Sequence, residues 1–573
     1  MNAIKQYLPI LNWGLHYRRE YLVGDITAGI IVASLLIPQG MAYAMLAGLP
    51  PEVGLYASIL PLIVYACLGT SSNLSVAPVA VDSLMVAAAV SAFAGENTAE
   101  YLGLALTLAF LVGIIEILMG VFRLGFLVNF LSQSVISGFI SAAAILIGFS
   151  QVKHLLGVRI PQTESFVQLV SYLGAELGNT NGVTLMLGLT ALGVLIFFNK
   201  KVKDYLKQWR VSEAAIVPIT KSAPLLLVII SSLLVWGLRL DEIAGVKVVG
   251  TIPQGLPPIS LPVFDATTLQ QLFPAAVAIS FVGFMEAFAV GSFLGSKKRQ
   301  KLDANQELIA LGAANASAAF TGGYPVTGGL SRSVVNFAAG ANTGLASIIT
   351  AIVIAITVMF LTPLFYFLPQ TILAAIILVA VSNLLDFGTL KRLWGYDKGD
   401  AIAWGGAFIA VLATSVETGI LIGAAISLAL HLWRTSKPHI AIVGRIENTE
   451  HFRNIERYPV KTCPHVLAIR IDESLYFANA KYLQTYVQNA ISTYPEIKHL
   501  VLICSAVNVI DGSGLETLKS LIEELKSVGI DFYLAEVKGP VLDKLDKIGF
   551  TEFIGGDRIF LTTDIAMKTL ECQ

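Results

Sequence analysis

Apolar runs alternate with short polar stretches over most of the chain. Fourteen of them lie at residues 25–47, 52–68, 79–93, 101–121, 126–150, 183–199, 222–238, 270–292, 304–320, 330–340, 345–368, 371–385, 399–414 and 417–434. Most approach the ~20 residues that a helix needs to cross about 30 Å of hydrocarbon. The third and tenth are too short or too polar to cross as helix alone, at ~1.5 Å per residue. Beyond about residue 436 the pattern changes. Strand-like runs IAIVGRI, HVLAIRI, HLVLICS and DFYLAEV alternate there with amphipathic stretches near 479–493, 514–527 and 540–548, predicting a small α/β sandwich. The expected organisation is a polar segment at 1–21, an all-α polytopic membrane domain at 22–436 and a second domain at 437–573.

Composition agrees with this division. Of 573 residues, 55% are hydrophobic and 13% charged, and a mean hydropathy of +0.73 lies outside the usual soluble range. The net charge is −1 and basic residues sit in short loops rather than on one face, so nucleic acid is set aside as a partner. Cys67, Cys463, Cys504 and Cys572 show no paired or metal-ligand spacing, so neither a structural disulfide nor a metal site is expected. The start, MNAIKQYLPILNWGLHYRREYLVGD, is polar and basic, and no small-residue cleavage site follows its first apolar run; that run stays in the membrane.

Cytoplasmic loops carry the excess Lys and Arg. After the sixth segment come Lys200, Lys201, Lys203, Lys207, Arg210 and Lys221, after the eighth Lys297, Lys298, Arg299 and Lys301, and after the twelfth Lys391, Arg392 and Lys398. All follow even-numbered spans, on the side of Arg18 and Arg19, whereas odd-numbered exits show only Lys153, Arg159, Arg239 and Lys247. Both termini are therefore expected in the cytoplasm, and the expected membrane is a bacterial inner membrane.

The third segment opens SNLSVAPVAVDSLMVAAAV and the tenth TGGYPVTGGLSRSVVNF. Each reads as an extended stretch feeding a short helix: Pro78 suits a helix's first turn, and Pro325 with Gly328 and Gly329 favours non-helical backbone before Leu330. Irregular backbone at membrane depth needs protein or a water-filled cavity around it. The two segments hold equivalent places in two halves of seven, the pattern of an inverted repeat with a midplane site. Two helix N-termini then face one another, each worth roughly +0.5 of an elementary charge, which favours an anion. The competing reading is that Gly and Pro merely kink packed helices.

Arg332 brings a formal positive charge into the second half-helix, where an unpaired cation costs at least ~2.5 kcal/mol at the bilayer centre. Glu286, in SFVGFMEAFAVGSF, is the obvious membrane-embedded carboxylate. Either the two form an ion pair that holds helices together, or Glu286 takes up a proton as the anion binds, because burial and a nearby negative charge both disfavour its ionised form. Asp82, on the first half-helix, either caps amides or contacts a hydroxyl. In segment one, Pro38 interrupts the helix, and Gln39 and Tyr43, four apart, project from one face as possible oxyanion donors or as packing groups.

With PQGMAYAMLAGLPPEVGLYAS in segment one, SVAPVAV at the third and GGLSRS in the tenth, in that order, the chain resembles the SulP sulfate permease family, relatives of pendrin and prestin, over essentially its full length. The resemblance implies fourteen segments in two inverted seven-segment repeats, as in the uracil permease, core and gate domains with an elevator-like movement, a C-terminal α/β STAS domain and a homodimer. It places substrate binding at Gln39, Tyr43, Val79, Ala80, Glu286, Gly329, Leu330, Ser331 and Arg332. Position 286 is glutamate in members thought to be proton-coupled and aspartate in a sodium-coupled bicarbonate branch; Val290, one turn on, supplies no hydroxyl for sodium. Some animal relatives have Ser where Gly329 stands. In the STAS domain, NVIDGSGLETL sets Asp511, Gly512 and Ser513 at a strand-to-helix turn, with Ser513 a helix cap; the serine matching Ser513 is phosphorylated in related anti-sigma-factor antagonists.

The function expected is secondary active uptake of a small anion, sulfate favoured, with protons and without a cofactor. No GxxxxGK[ST] loop is present, which speaks against direct ATP drive. Bicarbonate or dicarboxylate uptake, anion exchange and, against Arg332, a neutral nucleobase are the rivals within transport. An anion-sensing receptor signalling through STAS to a cytoplasmic partner is the rival outside it. No catalytic constellation points to an enzyme.

Overall fold

A computed structural model describes residues 7–93, 98–126, 132–160, 166–209, 216, 219–220, 222–414 and 416–572. Arg210 and Lys221 lie outside the described residues, as do the side chains of Lys203 and Lys207. The chain divides into two compact units, Met1–Ser427 and Leu428–Gln573.

The first unit is helical. Its main helices are α1 (Tyr21–Leu46), α2 (Leu60–Leu68), α3 (Ala80–Ser91), α4 (Thr98–Val121), α5 (Gln133–Leu156), α6 (Gly182–Phe197) and α7 (Ala223–Leu238), then α8 (Ala266–Lys298), α9 (Ala304–Phe320), α10 (Leu330–Ala338), α11 (Leu345–Ile356), α12 (Gln370–Ser382), α13 (Lys398–Ala413) and α14 (Val416–Ser436), whose last residues belong to the second unit. Among the described residues, eight helices are long and apolar enough to cross a membrane. With 12 and 9 residues, α3 and α10 rise only about 18 and 14 Å. The two short helices, α3 and α10, each stand third in a half of seven, at matched places in α1–α7 and α8–α14.

Polar residues set the helix starts. Ser132 accepts the amide of Val135 ahead of α5, Asn181 that of Thr184 ahead of α6, and Asp303 those of Asn305 and Gln306 ahead of α9, satisfying orphan donors of the first turns. Pro38 does not interrupt α1, which runs through it for 26 residues; packing of α1 on α11, α10 and α12 holds the helix where the proline removes one hydrogen bond. Pro78 precedes the extended cap Val79 instead of entering the first turn of α3.

Two apolar clusters organise the bundle. One joins α3, α4, α8 and α9 through Val81, Leu108, Ile279, Leu308 and Ala314. The other joins α1, α6, α7 and α12 through Leu36, Met41, Leu195, Leu227 and Ile372. Where α4 crosses α9 the backbones touch: a Cβ on Gly312 would meet the Gly113 carbonyl oxygen at 2.6 Å, so small residues are required at that contact. Between the clusters, β1 (Val76–Ala77) and β2 (Thr327–Gly328) pair antiparallel, Val76 opposite Gly328 and Ala77 opposite Thr327.

The second unit holds a six-stranded sheet of β3 (Ile440–Arg445), β4 (Phe452–Asn454), β5 (Val466–Ile471), β6 (His499–Ile503), β7 (Asp531–Ala535) and β8 (Ile559–Phe560), in the order β4-β3-β5-β6-β7-β8. The pairs β5–β6, β6–β7 and β7–β8 are parallel, and β3 runs antiparallel to both neighbours. Ile469, Leu500, Leu502 and Phe532 pack beneath α15 (Ala480–Thr493) and α16 (Gly512–Ser527). Two expectations are corrected here. Asp511, not Ser513, caps α16: its Oδ1 accepts the Gly514 amide at 2.7 Å and its Oδ2 the Phe477 amide at 3.0 Å, which leaves Ser513 exposed in the first turn. Cys463 and Cys572 are joined as a disulfide; the chain returns through the helix Thr563–Thr569 to bring together cysteines whose 109-residue separation gave no spacing signal.

Candidate functional site at the paired half-helices

The strand pair delivers two helix starts to one place. Val79 is the extended N-cap of α3 (φ −127°, ψ 157°) and Gly329 that of α10 (φ −79°, ψ 128°), and neither receives a side-chain cap. The first amides bonded back into the caps are those of Ser83, to Val79 O at 3.0 Å, and of Ser333, to Gly329 O at 3.1 Å. The amides of the preceding residues in each first turn are therefore free to meet a ligand.

Arg332 is 2% exposed. Its Nη1 donates to the carbonyl of Pro78 at 2.7 Å and its Nη2 to that of Ala77 at 2.9 Å, while Nε has no partner. The guanidinium of the second half-helix thus satisfies the carbonyls that lead into the first, and Arg332 makes no ion pair with Glu286 within 4.0 Å. It crowds its own helix cap: a Cβ on Gly329 would lie 2.8 Å from Nη2, so Gly329 is what lets the guanidinium fold back.

Glu286 sits on α8 within electrostatic reach of Arg332 and Tyr43. Its Oε2 is buried without a partner, and so is the Oε1 of Gln39. Gln39 and Ser331 line a cavity of about 70 Å³ walled by α1, the end of α6, the start of α7 and the end of α12, which Phe198 and Asn383 also line. That end of the bundle carries the Lys- and Arg-rich loops after α6 and α12. Tyr43, Val79 and Ala80 are buried nearby, whereas Leu330 is 44% exposed. The structure therefore gathers residues of α1, α3, α8 and α10 around the strand pair; Ser513 belongs to the other unit.

Sequence reasoning left open or missed several partners. The oxygens of Asp82 neither cap amides nor meet a hydroxyl: both are buried and unpartnered. Tyr324 shares a 2.9 Å hydrogen bond with Ser83, and Glu116 accepts from Asn315 at 2.9 Å while Asn315 accepts the Val326 amide at 2.7 Å. Asp25 accepts from the amide of Asn342 at 2.6 Å, the Thr343 hydroxyl at 2.7 Å and Tyr17 at 3.1 Å. Isolated acids inside apolar runs were the available signal.

A profile of the Sulfate permease family matches residues 22–407 and one of the STAS domain residues 457–566. The chain is 38% identical to Sulfate transporter 1.3 of Arabidopsis thaliana, over 99% of this chain and 88% of the relative. It is 37% identical to High affinity sulfate transporter 2 of Stylosanthes hamata, over 98% and 86%. Among solved structures, the murine Solute Carrier 26 family member A9 anion transporter in the inward-facing state superposes with a TM-score of 0.91 at 25% identity, covering 100% of this chain and 95% of that one. The transmembrane domain of a cyanobacterial bicarbonate transporter matches with a TM-score of 0.60 at 22% identity, over 72% and 98%.

Proposed function

Because the chain belongs to the sulfate permease family, we propose that it takes up sulfate or a closely related small anion by proton symport, with the site at the paired half-helices exposed alternately to either side by an elevator-like movement. One observation carries this reading: two uncapped helix N-termini meet at the strand pair, where Arg332 of one bonds the carbonyls that lead into the other and keeps a buried, unpartnered Nε, within electrostatic reach of the partly buried carboxyl of Glu286. Such a pocket offers donors and positive charge to an oxyanion, with a proton acceptor on the neighbouring helix α8. Gln39, Tyr43, Val79, Ala80, Gly329, Leu330, Ser331 and Arg332 form the anion site in this reading, and Glu286 carries the proton. Transport occupies residues 22–436 and the STAS domain residues 437–573, with Ser513 as a regulatory position facing a cytoplasmic partner. The protein works as a homodimer in a bacterial inner membrane with both termini in the cytoplasm, as the basic loops suggest.

The test is uptake of labelled sulfate into proteoliposomes with and without an inward proton gradient, in the presence of unlabelled bicarbonate, succinate or chloride. Gradient-driven sulfate uptake is expected. Flux of a competitor alone would replace the substrate, flux indifferent to the gradient would remove the symport, and binding without any flux would favour a receptor.

A further inference from the structure

Among the described residues, Asp25, Asp82, Glu116, Glu286 and Glu307 are carboxyls buried or partly buried within the helices of the membrane unit or at their starts, and three of them are tied. Asp25 is bonded as described above, Glu116 by Asn315, and Glu307 accepts from Tyr65 Oη at 2.7 Å and from the amide and hydroxyl of Thr70 at 2.7 and 2.5 Å. Glu286 and Asp82 differ: Glu286 keeps one unpartnered oxygen and Asp82, 1% exposed, keeps two. They belong to one site. Asp82 Oδ2 lies 3.3 Å from the Cβ position of Gly283, and Gly283 is one helical turn before Glu286 on the same face of α8. Thr327 of β2 closes the contact by donating to the Gly283 carbonyl at 2.6 Å. We propose that Asp82 is a second proton-binding carboxyl of the transport cycle, so that each sulfate crosses with two protons, one on Glu286 and one on Asp82.

The inference rests on the proton-symport reading and deepens it. Asp82 is the third residue of α3, in the first turn whose free amides face the anion. With the site empty, the positive ends of α3 and α10 offset the charge of the carboxylate. With a dianion on the same amides and water excluded, a bare carboxylate would face like charge without a hydrogen-bond donor, and the acid is the form that fits. The charge of the whole site then stays constant. Arg332 and two helix N-termini, at about half a charge each, balance two carboxylates when empty and one dianion when both carboxyls are protonated. A single proton would leave the loaded site about one charge more negative than the empty one, and every passage through hydrocarbon would oppose it.

The elements packed on α3 supply the other groups that bear on this titration. From α8 comes Glu286, from α4 Glu116 and from the turn before β2 Tyr324. From α1 comes Tyr43, which faces Glu286 and Arg332, and α5 carries its ionisable side chains, Lys153 and His154, in its last turn. Of these, Glu116 and Tyr324 are already hydrogen-bonded.

The sulfate gradient at which net flux of the full-length protein in proteoliposomes falls to zero, at set pH gradients and with the voltage clamped at zero or inside-negative, reads the stoichiometry directly. Wild-type protein is expected to move two protons per sulfate and to ignore voltage. Asp82→Asn, of the same shape, is expected to move one proton and to carry net negative charge, so that an inside-negative voltage slows uptake; sulfate–sulfate exchange verifies that this variant is folded. One proton per sulfate in the wild type, or an unchanged stoichiometry in Asp82→Asn, overturns the inference while leaving symport intact. Wild-type flux independent of pH overturns the symport reading itself.

Discussion

Arg332 is held by carbonyls and not by a carboxylate, and this decides what its removal does. Arg332→Ala strips two charge-assisted hydrogen bonds from the Ala77–Pro78 turn and the free Nε from the site. Bonds of this class are worth about 1.5–3 kcal/mol, so sulfate affinity is expected to fall roughly 10–100-fold, measured by the ligand-induced rise in melting temperature. Gly329→Ala tests the same geometry from the other side. Its methyl would collide with the guanidinium, and KM is expected to rise while the melting temperature without ligand stays close to wild type. Glu286→Gln keeps the shape and removes the titration: dependence of uptake on external pH should vanish while sulfate exchange persists, and wild-type pH dependence in that variant would remove Glu286 from the coupling role. The sequence announced Arg332 and Glu286 because a charge in an apolar run is conspicuous, and Gly329 because glycine ahead of a short helix favours non-helical backbone. It could not say that Arg332 reaches backward to the other repeat, since a hydrogen bond spanning 254 residues leaves no local trace.

At the scale of elements, period and composition decided most of what was legible. Each of the fourteen apolar runs corresponds to one of α1–α14, and the two judged too short became α3 and α10. Broken helices are readable because Pro and Gly change backbone geometry wherever they stand. Pro38 shows the limit: the local rule predicts an interruption, and packing on three neighbouring helices overrides it. In the STAS unit the long strands were visible as apolar runs, whereas β4 and β8, with three and two residues, are too short to show a period. Capping choices were ambiguous because Asp511 and Ser513 both suit a helix start; backbone geometry alone selects the aspartate. Crossing points were hidden as well, since nothing local marks Gly312 as touching α4. Gly312→Leu would drive a side chain into the Gly113 backbone and is expected to cost about 1–3 kcal/mol or more, read as a lower melting temperature without a selective loss of sulfate affinity.

On the scale of the whole molecule, two units of different chemistry share one chain, and the hypothesis that one tunes the other rests on the α16 turn. Glutamate at position 513 would lie in the first turn of α16, where negative charge is favoured by roughly 0.3–1 kcal/mol, so Ser513→Glu is expected to leave the domain folded. A changed uptake rate at unchanged sulfate affinity would support regulation through that turn; uptake unchanged by it and by removal of residues 440–573 would end the idea. The strand pair has a consequence for how the protein is made. Pro78 and Ala77 emerge from the ribosome 254 and 255 residues before the arginine that completes them, an interval of roughly 13–50 s at ~5–20 residues per second. During that time the α3 half-helix is already in the membrane with its leading carbonyls unbonded and its partner strand unwritten. The first repeat must therefore wait, sheltered by the insertion machinery or by lipid headgroups, and a pause or break in translation between the repeats would strand a half-site that cannot close by itself.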